Sequence, residues 1–160
     1  MRPLLSLLAA ALAVACSPQA GAEATAPAES AASRHPVSGL EVVPLSVVSE
    51  GKRHEFAVEV ARTAEEQARG LMFRTELGPD EGMLFPRNPP DIASFWMKNT
   101  PLPLDIIFVD EGGQIINIAA NTVPYSLDPV SAIGLTGAVL EIPGGRAAEL
   151  GIEPGDTVEW

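Results

Sequence analysis

Residues 95–109 read Phe-Trp-Met-Lys-Asn-Thr-Pro-Leu-Pro-Leu-Asp-Ile-Ile-Phe-Val. Two apolar arms flank a Thr-Pro-Leu-Pro segment, and Lys98, Asn99 and Asp105 lie close to it. Neither Pro101 nor Pro103 can donate a ladder hydrogen bond, so both belong in a turn. The stretch reads as a β-hairpin around which everything after residue 50 packs. With Asn99 opposite Leu104, Lys98 faces Asp105, Met97 faces Ile106, Trp96 faces Ile107 and Phe95 faces Phe108. Side chains alternate across a strand. One face then carries Phe95, Met97, Leu104, Ile106 and Phe108, a core face with Asn99 at its end. The other carries Trp96, Lys98, Asp105 and Ile107. A slip of one residue sets Asp105 opposite Met97 and mixes the faces, so the pattern selects this register.

The rest of the chain after residue 40 is also strand-rich. Glu41–Val48 is β-branched and interrupted by Pro44, which predicts an edge strand. Glu50-Gly51-Lys52 is a turn, and His54–Val60 alternates, with Phe56, Val58 and Val60 on one face. Thr63 and Glu66 have capping-box spacing, and Gly70 stops the short helix they begin. Gly82–Pro86 predicts a short buried strand stopped by proline, with Arg87–Asp91 as a loop. Gln114–Ala119, Ala138–Ile142 (with Glu141 inside it) and Thr157–Trp160 are further strands. Asn121–Gly137 reads mostly as a long loop. Six to eight short strands, one short helix and frequent turns predict an all-β fold, a compact sandwich or barrel.

The first forty residues differ in kind. Arg2 supplies a positive charge and Leu4–Ala15 a short apolar run, too short to span a bilayer. It ends Leu-Ala-Val-Ala-Cys, which resembles the lipobox of bacterial lipoproteins, with Ala13 where leucine is usual. The expectation is a signal peptide over 1–16 and lipidation of Cys16, which would attach the protein to a membrane. The alternative is cleavage after Ala13-Val14-Ala15 and release into the periplasm in soluble form. Residues 17–39 are rich in Ala, Pro, Ser and Glu and read as a disordered tether. The single domain then spans 40–160.

Composition narrows the chemistry. A net charge of −11 argues against nucleic acid as a partner. One cysteine permits no intramolecular disulfide. Zinc is disfavoured, because the domain holds only His54 and no cysteine, and no metal or cofactor is expected. Ser94, Ser126 and Ser131 lack a nucleophile-elbow pattern, and no catalytic residue is assigned. Met72, Met83 and Met97 suit irregular core gaps better than a Cu(I) site. Arg74 and Arg146 are either solvated or satisfy carboxylates.

Several motifs occur together in order: Val58-Glu59-Val60-Ala61, Gly70-Leu71-Met72-Phe73-Arg74, Gly82-Met83-Leu84-Phe85, Phe95-Trp96-Met97-Lys98-Asn99-Thr100, Leu104-Asp105-Ile106-Ile107-Phe108, Leu140-Glu141 with Gly144-Gly145, and Gly155-Asp156. Through them, residues from about 54 to 160 resemble the uncharacterised family called domain of unknown function 192. The resemblance implies a compact β-rich, sandwich-like fold, often exported. It implies no activity and transfers no catalytic residue.

The candidate binding residues are Trp96, Lys98, Asn99 and Asp105. They line a ligand pocket in which Trp96 stacks on a sugar ring or another flat group, or Lys98 and Asp105 form a cross-strand ion pair that fixes register. The leading expectation is a lipid-anchored module of the cell envelope or periplasm that binds a small molecule, a glycan or an envelope protein. One alternative is an assembly module without a pocket. Another is an envelope carbohydrate hydrolase using Asp105 and Glu141 as paired carboxylates.

Overall fold

The computed structural model describes residues 33–160. The expected targeting segment with Cys16, and residues 17–32 of the expected tether, lie outside the described residues. Residues 33–39, expected in the tether, are built into the domain. Strand β1 (Ser33–Arg34) pairs with residues 41–42 of β2 (Glu41–Ser49). The His35 N–H donates to Leu40 O at 2.9 Å, closing the turn between them.

Strand β2 runs into β3 (Lys52–Val60) through Glu50 and Gly51, whose φ angles of 48° and 77° form the two-residue turn that suits strand twist. Pro44 is tolerated in β2 for a specific reason. Its partner Ala57 sends its own N–H to Asp80 O, away from β2. The Pro44 position therefore needs no donor toward β3, and on its far side it falls between the stretches paired with β1 and β10 (Thr157–Glu159).

Helix α1 (Ala64–Arg69) begins at the predicted capping box. The Glu66 N–H donates to Thr63 Oγ1, and Glu66 Oε2 accepts from the Thr63 N–H at 2.8 Å. The helix crosses to β4 (Glu81–Asp91), which lies parallel to β3. Pro86 does not stop β4. The ladder between β4 and β9 (Thr136–Pro143) breaks after Pro86, so residues 87–90 bulge against Gly137 alone, and pairing resumes at Asp91.

Strand β9 also pairs with β6 (Leu104–Val109), and β6 pairs with β7 (Ile115–Ala119). The path β2-β3-β4-β9-β6-β7 then closes on itself. Strand β10 pairs with β2 on one side. On the other, Val158 N–H donates to Gly113 O at 2.8 Å and Ile115 N–H to Asp156 O at 2.9 Å. Closure removes most free sheet edges, which otherwise invite pairing with other chains. Short helix α2 (Arg146–Leu150) lies between β9 and β10. The all-β expectation is met.

Two cores result. Leu45, Val47, Val58, Leu84, Ile107, Leu140 and Ile142 fill the inside of the closed sheet. Met83, Phe85, Met97, Leu104, Ile106, Phe108 and Val139 form a second core on its outer face. That outer core is covered by Leu71, which follows α1, and by a ribbon of β5 (Ser94–Phe95) and β8 (Val130–Ser131). The segment expected as one long loop, 121–137, thus contains β8 and the start of β9.

The central hairpin is not formed. Strand β5 pairs with β8, and β6 takes β7 and β9 as its neighbours. Residues 97–100 bend back, Thr100 N–H to Met97 O at 3.1 Å, and bond to the 123–126 segment through Met97 N–H to Ser126 O at 3.0 Å. The expected core face nonetheless stays together: Met97, Leu104, Ile106 and Phe108 join the second core, and Phe95 packs against it. Lys98 does not face Asp105. Asp105 is fully buried, and its carboxylate accepts three backbone N–H bonds, from Asn121 at 2.7 Å, Gly145 at 2.9 Å and Ala147 at 2.8 Å. It ties the loops after β7 and β9 to β6.

This placement makes a prediction for urea unfolding. Asp105→Asn retains one acceptor but turns an amide toward a backbone donor, and should cost about 2–3 kcal/mol. Lys98→Ala should cost under about 0.5 kcal/mol, as surface changes usually do. Their double-mutant coupling should be within about 0.5 kcal/mol of zero. A coupling above about 1 kcal/mol would restore the direct ion pair.

Candidate functional site

The outer core contains one carboxyl group that the fold leaves without a partner. Glu141 alternates with Leu140 and Ile142 along β9, and those two point into the closed sheet. Glu141 must then point outward, between its cross-strand neighbours Met83 and Ile106. It is 5% exposed. Burial alone pushes its carboxyl up to about 8, and no hydrogen bond or neighbouring charge among the described residues offsets that. At neutral pH it is a protonated acid, able to donate one hydrogen bond and to accept others.

Glu141 lines a cavity of about 300 Å³. The last turn of α1 and the following Leu71 and Met72 make one wall. Phe85, Phe95 and Trp96 supply aromatic surface, and Thr100 and Arg87 supply polar groups. The rings pack edge to face, with Phe85 and Phe95 centroids 5.0 Å apart and Phe95 and Phe108 6.3 Å apart. Arg87 is held in place by Asp91 and by Gln67 Oε1 at 3.0 Å. This is the size and make-up of a small-molecule site, a mostly apolar concavity with a few converging polar groups.

Of the residues singled out in the sequence, Trp96 is at this cavity, 51% exposed. Lys98 stands beside it, its Nζ 5.1 Å from the indole centroid, a cation–π contact. Asn99 acts through its backbone: at φ 57° its carbonyl accepts the Phe73 N–H at 2.8 Å, and its Nδ2 lies 3.7 Å from Met72 Sδ. Asp105 belongs elsewhere. It pairs in register with Ile142, whereas Glu141 pairs with Ile106, so the pleat sends the two carboxyls to opposite faces of the sheet. They do not form the facing pair that a glycosidase needs. Glu141 was visible as an acid within Ala-Val-Leu-Glu-Ile, but its lack of a partner depends on neighbours far away in sequence.

A second polar cluster is built around Glu59 of β3. Glu59 is buried against Arg74, with Arg74 Nη2 2.8 Å from Glu59 Oε1. Ser38 Oγ also donates to Glu59, and His35 Nδ1 lies 3.7 Å from it. Arg146 likewise meets carboxylates, Asp80 and Glu149, each at 2.8 Å. Beside the Glu59 cluster is a cavity of about 560 Å³, lined in part by Val37, Leu40, Phe73 and Arg74. Of the methionines, Met83 and Met97 are core residues, and Met72 lines both cavities. Among the described residues, no group of three His, Cys, Asp or Glu side chains is placed to hold a metal ion.

Fold and site together define a small closed-sheet β domain with a ligand-sized cavity on its outer face. Residues 46–160 match the domain of unknown function 192 family (DUF192), described as an uncharacterized ACR. The chain belongs to that family. It is similar to a protein of unknown function from Novosphingobium aromaticivorans DSM 12444, with 61% identity, a TM-score of 0.80, and 82% of this chain and 94% of that one covered. It is also similar to a protein from Sinorhizobium meliloti 1021 whose given name proposes a transcription regulator. There the identity is 35% and the TM-score 0.73, with 75% of this chain and 94% of that one covered. No curated protein matches.

The state of Glu141 sets a pH dependence. Its carboxyl titrates near 4.5 when unfolded and at about 8 when folded, so between those values the folded chain holds a proton that the unfolded chain has lost. Stability from this group is full below the lower value and is lost as pH rises through the upper one. Glu141→Gln removes the titration. Relative to that variant, the parent should lose roughly 2–5 kcal/mol between pH 5 and 9. Denaturant midpoints of both across that range check it, and parallel curves would show that Glu141 ionises freely.

Proposed function

We propose that this protein is an exported, lipid-anchored binding module, and that a small uncharged ligand occupies the Glu141 cavity. One observation carries the reading: Glu141, whose carboxyl has no hydrogen-bond partner or cation among the described residues, lines the same cavity as the exposed Trp96 indole. The carboxyl faces the cavity, where a ligand's hydrogen bond can take the place of water. The exposed Trp96 ring offers a flat apolar face to the same ligand. The expectation of export and anchoring is supported by the apolar run at 4–15 and by Cys16. Charge sets this chain apart from the role named for the Sinorhizobium relative, since 21 acidic against 10 basic residues give little to hold a phosphate backbone. With Asp105 turned to the other face of the sheet, binding fits the site better than two-carboxylate hydrolysis.

A second reading, an assembly module, is favoured by exposed Val123, Tyr125, Leu127, Ile133 and Leu135 on one stretch of chain. Self-association or capture of an envelope protein through that surface would persist in Trp96→Ala, which separates the two readings.

Thermal unfolding with neutral monosaccharides and other uncharged ring compounds tests the proposal. A ligand that binds only the folded state raises the midpoint. The rise should vanish in Trp96→Ala. In the parent it should weaken as pH passes about 8, where Glu141 ionises, and in Glu141→Gln it should not. A rise of equal size in all three proteins at every pH would place the ligand elsewhere.

A further inference from the structure

The Glu141 cavity and the larger cavity beside Arg74 share a wall. Arg69, Gly70 and Met72 line both. Each also carries an exposed aromatic ring. Trp96 is 51% exposed at the first, and Phe73 is 64% exposed at the second.

Phe73 is held there against its backbone preference. Its φ of 63° is left-handed, a conformation that bulky residues seldom adopt. It persists because the Phe73 N–H donates to Asn99 O at 2.8 Å, and Asn99 is itself left-handed at 57°. Hydrophobic burial does not account for this arrangement, because the ring it presents stays mostly in solvent. Strain that places an apolar ring in water at the wall of a cavity points to a ligand surface.

We propose that the two cavities are adjoining subsites of one cleft, and that the cleft takes a neutral linear oligosaccharide, with one sugar ring on Trp96 beside Glu141 and another on Phe73. The inference rests on the reading of the Glu141 cavity as a binding site and extends it to the identity of the ligand. A sugar ring offers a C–H face to an aromatic side chain and hydroxyls to a protonated acid, which can donate to one and accept from another. Two exposed rings joined by a shared wall suit a ligand that repeats that unit. A net charge of −11 works against polyanionic chains, and a neutral chain meets no such repulsion.

NMR titration of the protein with neutral β-1,4-linked glucose and N-acetylglucosamine oligomers, one to five rings long, is the test. Parent, Trp96→Ala, Phe73→Ala and Phe73→Tyr proteins are compared. In the parent, affinity should rise at least tenfold from one ring to three. Phe73→Ala should abolish that rise, while Phe73→Tyr retains it. Trp96→Ala should abolish single-ring binding. Single-ring binding that depends on Trp96 but gains nothing with length, or a gain indifferent to Phe73, overturns the cleft and leaves the single cavity standing. No binding by any oligomer overturns the cleft and counts against the binding reading with it.

Discussion

Strand β9 is buried on both faces over residues 138–142. Ala138, Leu140 and Ile142 point into the closed sheet, and Val139 packs into the outer core. A strand pleat has only two faces, so a polar residue in such a strand must lie on one core side or the other. Glu141 is therefore committed to the outer core by the same geometry that closes the sheet. Closure depends on β9 joining β4 to β6, and the site depends on what β9 brings along when it does.

Three buried acids show how differently the fold treats them. Asp105 accepts three backbone N–H bonds and ties two loops to β6. Glu59 is matched by Arg74 and Ser38 and fastens the N-terminal segment to the sheet. Glu141 receives neither a donor nor a cation among the described residues. In the first two, the cost of burial is offset within the domain, so the groups act in structure. In the third it is not offset, and the carboxyl keeps its proton instead.

The outer core is roofed mostly by irregular chain, and its shape depends on a few left-handed residues. Phe73, Asn99 and Tyr125 all have positive φ, and they lie in segments bonded to one another, Phe73 N–H to Asn99 O and Tyr125 N–H to Thr100 O. These bonds hold the segments around 72, 98 and 124 together where no ladder does. The same segments carry the exposed aromatic residues Phe73, Trp96 and Tyr125. The closed sheet gives the rigid base, and these short strained connections give the site its outline.

Local features could be read in the sequence because local energetics decide them. The alternation of His54–Val60, the Thr63–Glu66 capping box, the Gly70 stop and the Glu50-Gly51 turn each involve groups only a few residues apart, and each is formed. Strand pairing is another matter. Every apolar strand offers similar hydrogen-bonding edges, and which edges meet depends on the closing of the whole sheet. So β6 pairs side by side with β9 rather than with the arm that precedes it, and Lys98 and Asp105 part company. The sequence by itself determined an all-β domain, its caps and turns, and the presence of an acid inside an apolar strand. Only the tertiary structure decided that this acid lies between Met83 and Ile106, in a cavity shared with Trp96 and without a partner, because those neighbours are brought together by contacts distant along the chain.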